Sequence, residues 1–237
     1  MEHIIETEYL TKKYAELTAV NSVTLNVRKG SLFGLLGPNG SGKTTMIKML
    51  TGQIKPTSGN ARVLGLDIES DPVGVRKLVG IIPEQESPPS FLTAMEYLEF
   101  IADIRKIPDL ENKADWWFDF LEYGDKKNVL CKDLSRGTRQ KLMLTQAFIH
   151  EPELALIDEP LINFDPIMQD KVKSFFVSYT KKEKTLFIST HLLDTAEEIC
   201  TEVAILHLGD LLYTGTIDSV RQEGRHLSDL FLSLVRK

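Results

Sequence analysis

The sequence predicts an α/β protein with a mainly parallel sheet and a block of helices inserted at about residues 86–150. Three observations carry this. Short apolar runs that read as strands alternate with longer stretches of helical periodicity. Strands that alternate with helices favour parallel pairing. A glycine-rich segment also joins one apolar run directly to a helix, and the middle of the chain carries helical patterns alone.

In chain order, residues 4–9, 23–27 and 32–36 read as short strands, the last with a glycine inside an apolar run. Residues 43–50 read as a helix, stopped by Gly52 and Pro56. Residues 78–82 form another apolar run, ended by Pro83. Thr93-Ala94-Met95-Glu96 has capping-box spacing and opens a helix that Pro108 stops. A second helix is expected over 111–123, closed by Gly124, and a third over 138–150. Strands return at 154–157, 185–189 and 203–208, with helices between them.

Composition narrows the function classes. The 237 residues are 42% hydrophobic and 26% charged, which suits a folded globular chain with a sizeable core. The longest uncharged run, residues 30–42, carries five glycines and is too short to span a bilayer. Acidic residues near the start argue against a secretion signal. A net charge of −6 is a poor match to a nucleic-acid binder, which usually shows a basic stripe, and to a bare anionic membrane surface. Cys131 and Cys200 form no C-x-x-C pair and read as free thiols.

Residues Gly37-Pro38-Asn39-Gly40-Ser41-Gly42-Lys43-Thr44 fit G-x-x-x-x-G-K-[ST]. Glycines let the backbone turn N–H groups toward phosphate oxygens, and the following helix presents its positive end to the same anion. Lys43 supplies a charge for the β- and γ-phosphates. The Thr44 hydroxyl can ligate Mg²⁺, and Thr45 follows it in the same turn.

Ligands of open parallel sheets bind at the carboxyl ends of the strands. Asp158 and Glu159 follow residues 154–157, Glu84 and Gln85 follow residues 78–83, and His191 follows residues 185–190. Each fits a part in phosphoryl transfer. Asp158 can hold the magnesium. Glu159 can polarise the attacking water. Gln85 can reach metal and water, and His191 can contact the γ-phosphate. Adjacent Asp158 and Glu159 would point to opposite sides of a strand and so take different roles.

Leu134-Ser135-Arg136-Gly137-Thr138-Arg139-Gln140, just before the Asp158 strand, resembles the signature of ATP-binding cassette (ABC) ATPases. The order of phosphate loop, glutamine, signature, acidic strand, Asp165 loop and histidine resembles that family from about residue 5 to 219. The resemblance implies a P-loop (RecA-like) core over about residues 1–85 and 151–237. It also implies an N-terminal antiparallel β region and a helical subdomain over about 86–150, all in one ABC ATPase domain.

It further implies that ATP and Mg²⁺ bind, that Tyr14 stacks on adenine, and that Ser135 and Gly137 meet the γ-phosphate held by a second subunit. Asp165 would sit in the loop that crosses a nucleotide-sandwich dimer, formed with an identical or a related subunit. Arg136 and Thr138 depart from the family's usual glycine and glutamine, and residues 161–164 are more apolar than usual.

The resemblance points to an ATPase subunit that energises a separate membrane-spanning transporter subunit from the cytoplasmic side of the cell membrane. It implies no nucleic acid and no direct membrane insertion. The glycine-rich strand–loop and the short tail resemble the exporter-type drug, antibiotic or ion-extrusion branch. The alternative is a soluble ABC ATPase of translation or DNA repair. Translation members resemble two fused cassettes, and repair members carry a long coiled-coil insertion, whereas 48 residues separate Gln85 from Leu134 here.

Asn112-Lys113-Ala114-Asp115 matches a guanine-reading motif but opens a helix rather than following a strand, so it reads as chance. The Trp116, Trp117, Phe118 and Phe120 cluster reads as core, with a partner surface as the alternative.

Overall fold

The structure is a computed structural model that describes residues 2–83 and 88–236. It contains two sheets. The strands β1 (His3–Tyr14), β2 (Leu17–Arg28), β4 (Ser58–Val63) and β5 (Leu66–Asp67) form an antiparallel sheet in the order β2-β1-β4-β5. The second sheet has six strands: β3 (Leu32–Leu36), β6 (Val79–Ile82), β7 (Leu154–Asp158), β8 (Thr185–Thr190), β9 (Glu202–His207) and β10 (Asp210–Thr216). Their order is β10-β9-β3-β8-β7-β6, parallel except for the β9–β10 hairpin. The fold is thus the expected α/β arrangement, with an N-terminal antiparallel sheet beside a mainly parallel one.

The parallel strands are buried on both faces, so their side chains divide between two cores. Phe33, Leu35, Leu154, Leu156 and Phe187 face the antiparallel sheet and α1 (Lys43–Leu50). Phe33 and Phe187 stack at 5.3 Å. Leu32, Leu36, Ile157, Leu186 and Ile188 face the other core, which the later helices cover. This alternation is the strand period of two. It holds the carboxyl ends of β3, β7 and β8 side by side.

Helix α2 (Pro72–Leu78) leads into β6. Between β6 and β7 the described chain holds α3 (Ala94–Arg105), α4 (Leu110–Phe120), two short 3₁₀ turns and α5 (Arg136–Phe148). The capping box of Thr93 and Glu96 is present in both directions. After β7 come α6 (Pro166–Thr180), α7 (Leu193–Ile199), α8 (Ile217–Gln222) and α9 (Leu227–Val235). No described helix is long and apolar enough to cross a membrane. Cys131 and Cys200 are free and buried.

Several expected boundaries move. The first two strands are 12 residues each, because bulges at Tyr9 and Ser22, both at φ 50°, break the apolar alternation without ending the pairing. Leu78 ends α2 instead of opening β6. Helix α4 stops at Phe120, ahead of Gly124. Glu122 takes the left-handed position at φ 56°, with Tyr123 N–H on the Phe118 carbonyl and Glu122 N–H on that of Asp119. That is a Schellman closure made by a glutamate.

Candidate functional site

The loop between β3 and α1 is shaped by its glycines. Gly40 and Gly42 have φ of 78° and 108°, and Gly42 is the N-cap of α1. A Cβ on Gly42 would also run into the Ala19 carbonyl, so the loop closes against β2. Lys43, Thr44 and Thr45 then form the first helical turn, whose N–H groups have no intrahelical acceptors and make an electropositive end.

An open cleft of 460 Å³ lies over this turn. Asn39, Gly40, Ser41, Gly42, Lys43, Thr44 and Thr45 form its floor, and Asp158 and Glu159 close one side. Tyr14, Leu17, Thr18, Ala19 and Leu208 form the other wall. Tyr14 is 45% exposed at the end of β1, with the Lys12 ammonium 5.2 Å from its ring centre. Gly37 and Pro38 lie beneath the floor and offer carbonyls to the Lys43 ammonium at 2.8 and 3.2 Å.

The two acids line the same cleft and take different partners, because Glu159 lies beyond the strand end and strand alternation does not apply to it. Asp158 is the last residue of β7, and its Oδ1 accepts a hydrogen bond from the Ser189 hydroxyl of β8. Its Oδ2 is buried without a partner among the described residues. Glu159 leaves the strand in the left-handed region at φ 49°, with its N–H on the Ser189 carbonyl at 3.1 Å. This strained backbone turns its carboxylate to Lys43, with Nζ 3.9 Å from Oε1, and to His191, with Nδ1 2.8 Å from the same oxygen. Strain of this kind gathers at functional sites. Gln85 and Glu84 fall outside the described residues.

Ser135, Gly137 and Asp165 do not line this cleft. Ser135 caps α5, accepting the Thr138 N–H at 3.1 Å and bonding the Thr138 hydroxyl at 2.8 Å. A Cβ on Gly137 would stand 3.0 Å from the Asn163 carbonyl, so the signature helix packs closely on the segment before α6. Asp165 caps α6 by accepting the N–H groups of Ile167 and Met168 at 3.0 Å each. These two bonds, led by that of Met168, hold its carboxyl below the ordinary range. Arg136 is exposed at the start of α5.

The comparisons with known proteins come to bear on this geometry. Residues 20–162 match the family described as ABC transporter. The chain belongs to that family. Among its relatives is the bacitracin transport ATP-binding protein BcrA of Enterococcus faecalis, 34% identical over 234 residues, or 98% of this chain and 76% of the relative. The probable multidrug ABC transporter ATP-binding protein YbhF of Escherichia coli is 31% identical over 224 residues, or 94% of this chain and 39% of YbhF.

A solved ATP-binding subunit of an ABC transporter superposes with a TM-score of 0.91 at 29% identity, covering 98% of this chain and 99% of that one. The cassette MJ0796, solved as a dimer bound to ADP and Pi after hydrolysis, shares the fold, with a TM-score of 0.83 at 22% identity. The chain is therefore an ATP-binding subunit of the ABC transporter class and an ATP hydrolase.

Two features of the cleft of this ABC ATPase escaped the sequence reading. Ser189 sits under both acids, but a serine inside a buried strand reads as ordinary packing. Leu17 and Leu208 line the cleft although far apart in the chain, and only the pairing of β1 with β2 and of β9 with β3 gathers them. The guanine-like run 112–115 lies on α4, with Asn112 bonded to Asp109 at 2.7 Å and Lys113 paired with Glu151 at 2.7 Å. The aromatic cluster divides. Trp117 and Phe118 are core, while Trp116 is 53% exposed.

Proposed function

We propose that this subunit hydrolyses ATP to drive export of a drug, antibiotic or ion through a separate membrane-spanning subunit, working as a nucleotide-sandwich dimer at the cytoplasmic face of the membrane. The observation that carries the chemical part is the placement of the Glu159 carboxylate between Lys43 and His191 beside the phosphate loop. The names of BcrA, a bacitracin transport protein, and of YbhF, a probable multidrug transporter, support a drug or antibiotic as the transported substrate. The dimeric MJ0796 cassette, alike in fold, supports the pairing, with an identical or a related subunit.

In this reading the N–H groups of the loop and first turn cradle the phosphates of ATP, and Lys43 holds the β- and γ-oxygens. Tyr14 stacks on the adenine. Glu159 takes a proton from the water aligned with the γ-phosphate, and His191 holds that carboxylate in place and contacts the γ-phosphate. Mg²⁺ fits the residues present. Asp158 keeps one buried oxygen without a partner while Ser189 fixes the other, and Thr44 lies across the cleft.

The described residues contain no cluster of three or more His, Cys, Asp or Glu that could hold a metal. That suits Mg²⁺, which binds through one or two side chains and phosphate oxygens rather than an all-protein cage. When bound, it neutralises charge on those oxygens. Gln85 is proposed to reach the same metal and the water.

Ser135 and Gly137, on the start of α5, act on the ATP of the second subunit, and Asp165 keeps the intervening loop in register through its cap. Residues 86–150 form the helical subdomain that couples the site to the membrane partner. Affinity capture of the tagged chain from its own membranes tests the transport reading. A membrane-spanning polypeptide should co-purify in fixed ratio; recovery of the chain with ribosomes or DNA instead would overturn it.

A further inference from the structure

Beside α4 and α6, the described residues line an open pocket of 360 Å³. Its walls are aromatic: Trp116, Trp117, Phe148, Phe175 and Tyr179. Trp117 meets Phe175 edge-on at 5.1 Å, and Phe148 meets Tyr179 edge-on at 5.0 Å, so the lining is a packed ring set with defined geometry. Trp116 stands at the rim, 53% exposed and stacked on Phe120 at 4.9 Å. A volume within the range of small-molecule sites, walled by aromatic rings, suits an apolar body of one ring or a short acyl chain.

The polar groups at the mouth decide the charge of the ligand. The Tyr179 hydroxyl is already spent on the Pro152 carbonyl at 2.6 Å, and the Asn112 amide on Asp109 at 2.7 Å. What remains is Lys113, Lys182 and Lys184 against the single carboxylate of Glu151. Lys113 pairs with that carboxylate at 2.7 Å. Lys184 donates to the Glu151 carbonyl at 3.0 Å, and with Lys182 it shares the one carboxylate that Lys113 already pairs with, so positive charge is in excess. Lys182, exposed, makes no ion pair among the described residues. The mouth is therefore cationic on a chain whose net charge is −6.

We propose that this cavity binds a small amphipathic anion, a carboxylate or phosphate on an apolar body, with the apolar part among the rings and the head between Lys182 and Lys184. The site is separate from the nucleotide cleft and shares no lining residue with it.

Both tryptophans of the chain lie at this cavity, so emission excited selectively at tryptophan, rather than at the six tyrosines, reports on it. Sodium octanoate titrated into the intact chain should change that emission saturably, with a dissociation constant of about a millimolar or below. Octylammonium, with a similar chain and opposite charge, should bind at least about tenfold more weakly. The charge reversals Lys182→Glu, at an exposed position, and Lys184→Glu, at a half-buried one, together should weaken octanoate by about tenfold. Lys182→Glu alone, which leaves the Lys184 bond intact, should weaken it to a lesser degree. Lys43→Ala should leave octanoate binding unchanged.

No saturable change with octanoate would overturn the proposal. So would equal binding of octylammonium, or octanoate binding indifferent to both charge reversals. A Trp116-dependent dimer in light scattering that octanoate fails to dissociate would assign the face to self-association and overturn it as well.

Discussion

Glu159 Oε1, just beyond β7, is met by His191 Nδ1 at 2.8 Å and by Lys43 Nζ at 3.9 Å, so three separate stretches of chain converge on one oxygen. Lys43 comes from the first turn of α1, and His191 from just beyond β8. The side chains of Lys43 and Glu159 are nearly buried, at 6% and 10% exposure, whereas that of His191 is 43% exposed. The carboxylate is thus held between a buried cation and a partly exposed imidazole. Such a group is oriented before any water arrives, which is what a positioned base requires.

Tyr14 supplies the flat wall of the cleft. Stacking on an aromatic is worth about 1–3 kcal/mol per base in comparable sites. Tyr14→Ala should weaken ATP binding by about ten- to a hundredfold, while Tyr14→Trp retains it. Titration calorimetry reads both. Equal affinity in wild type and both variants would move the stacking role to another residue.

Ser189 links the two acids. Its hydroxyl donates to Asp158, and its carbonyl accepts from Glu159 N–H. Ser189→Ala leaves the buried Asp158 carboxylate without that donor, which costs about 1–3 kcal/mol of stability. Magnesium-dependent ATP affinity should fall with it, because Asp158 loses its orientation. Urea unfolding and ATP titration with and without Mg²⁺ check the two parts. A variant with unchanged stability and unchanged magnesium dependence would contradict the role.

The legibility of this chain was uneven, and the reasons are physical. Strand β3 and helix α1 have the ends the sequence indicates, because an apolar run, a glycine loop and a glycine stop are all local signals. The capping box at Thr93 is local in the same sense. Helix α4 was misjudged at its end because Glu122 adopts a conformation usually left to glycine, and its Schellman bonds stabilise that choice. Strands β1 and β2 were cut short because bulges hide their period.

Residues placed by the loop motif and strand ends, from Gly40 to Thr45 with Asp158 and Glu159, do line one cleft. Ser189, Leu17 and Leu208 were invisible, since only the pairing of distant strands brings them there. Asp165, placed by resemblance in the loop that crosses the dimer, spends its carboxylate on the start of α6.

His150 gives the fold a pH dependence that has nothing to do with hydrolysis. It follows α5, with Nε2 2.9 Å from the Arg105 guanidinium and Nδ1 buried without a hydrogen-bond partner among the described residues. Burial first, and then the charge of Arg105, push its pKa from the ordinary 6.5 down to about 4. The unfolded chain therefore binds a proton below about pH 6.5 that the native chain refuses until about pH 4. Stability contributed by neutral His150 is present above that window and is lost as pH falls through it, by up to on the order of 3 kcal/mol. His150→Gln should flatten this part of the curve. Urea unfolding at pH 7 and pH 4.5 measures it, and an equal loss in both proteins would contradict the assignment.

The central claim is that Glu159 does the hydrolytic work at this cleft. Glu159→Gln keeps the size and a hydrogen bond to His191 but removes the negative charge that accepts the water's proton. Phosphate release with Mg-ATP, measured beside ATP affinity on the same preparation, tests it most directly. The account predicts a rate lower by about 10²–10⁴-fold with ATP affinity retained, since Lys43, Thr44 and Asp158 are untouched. A variant that releases phosphate at the wild-type rate would contradict it.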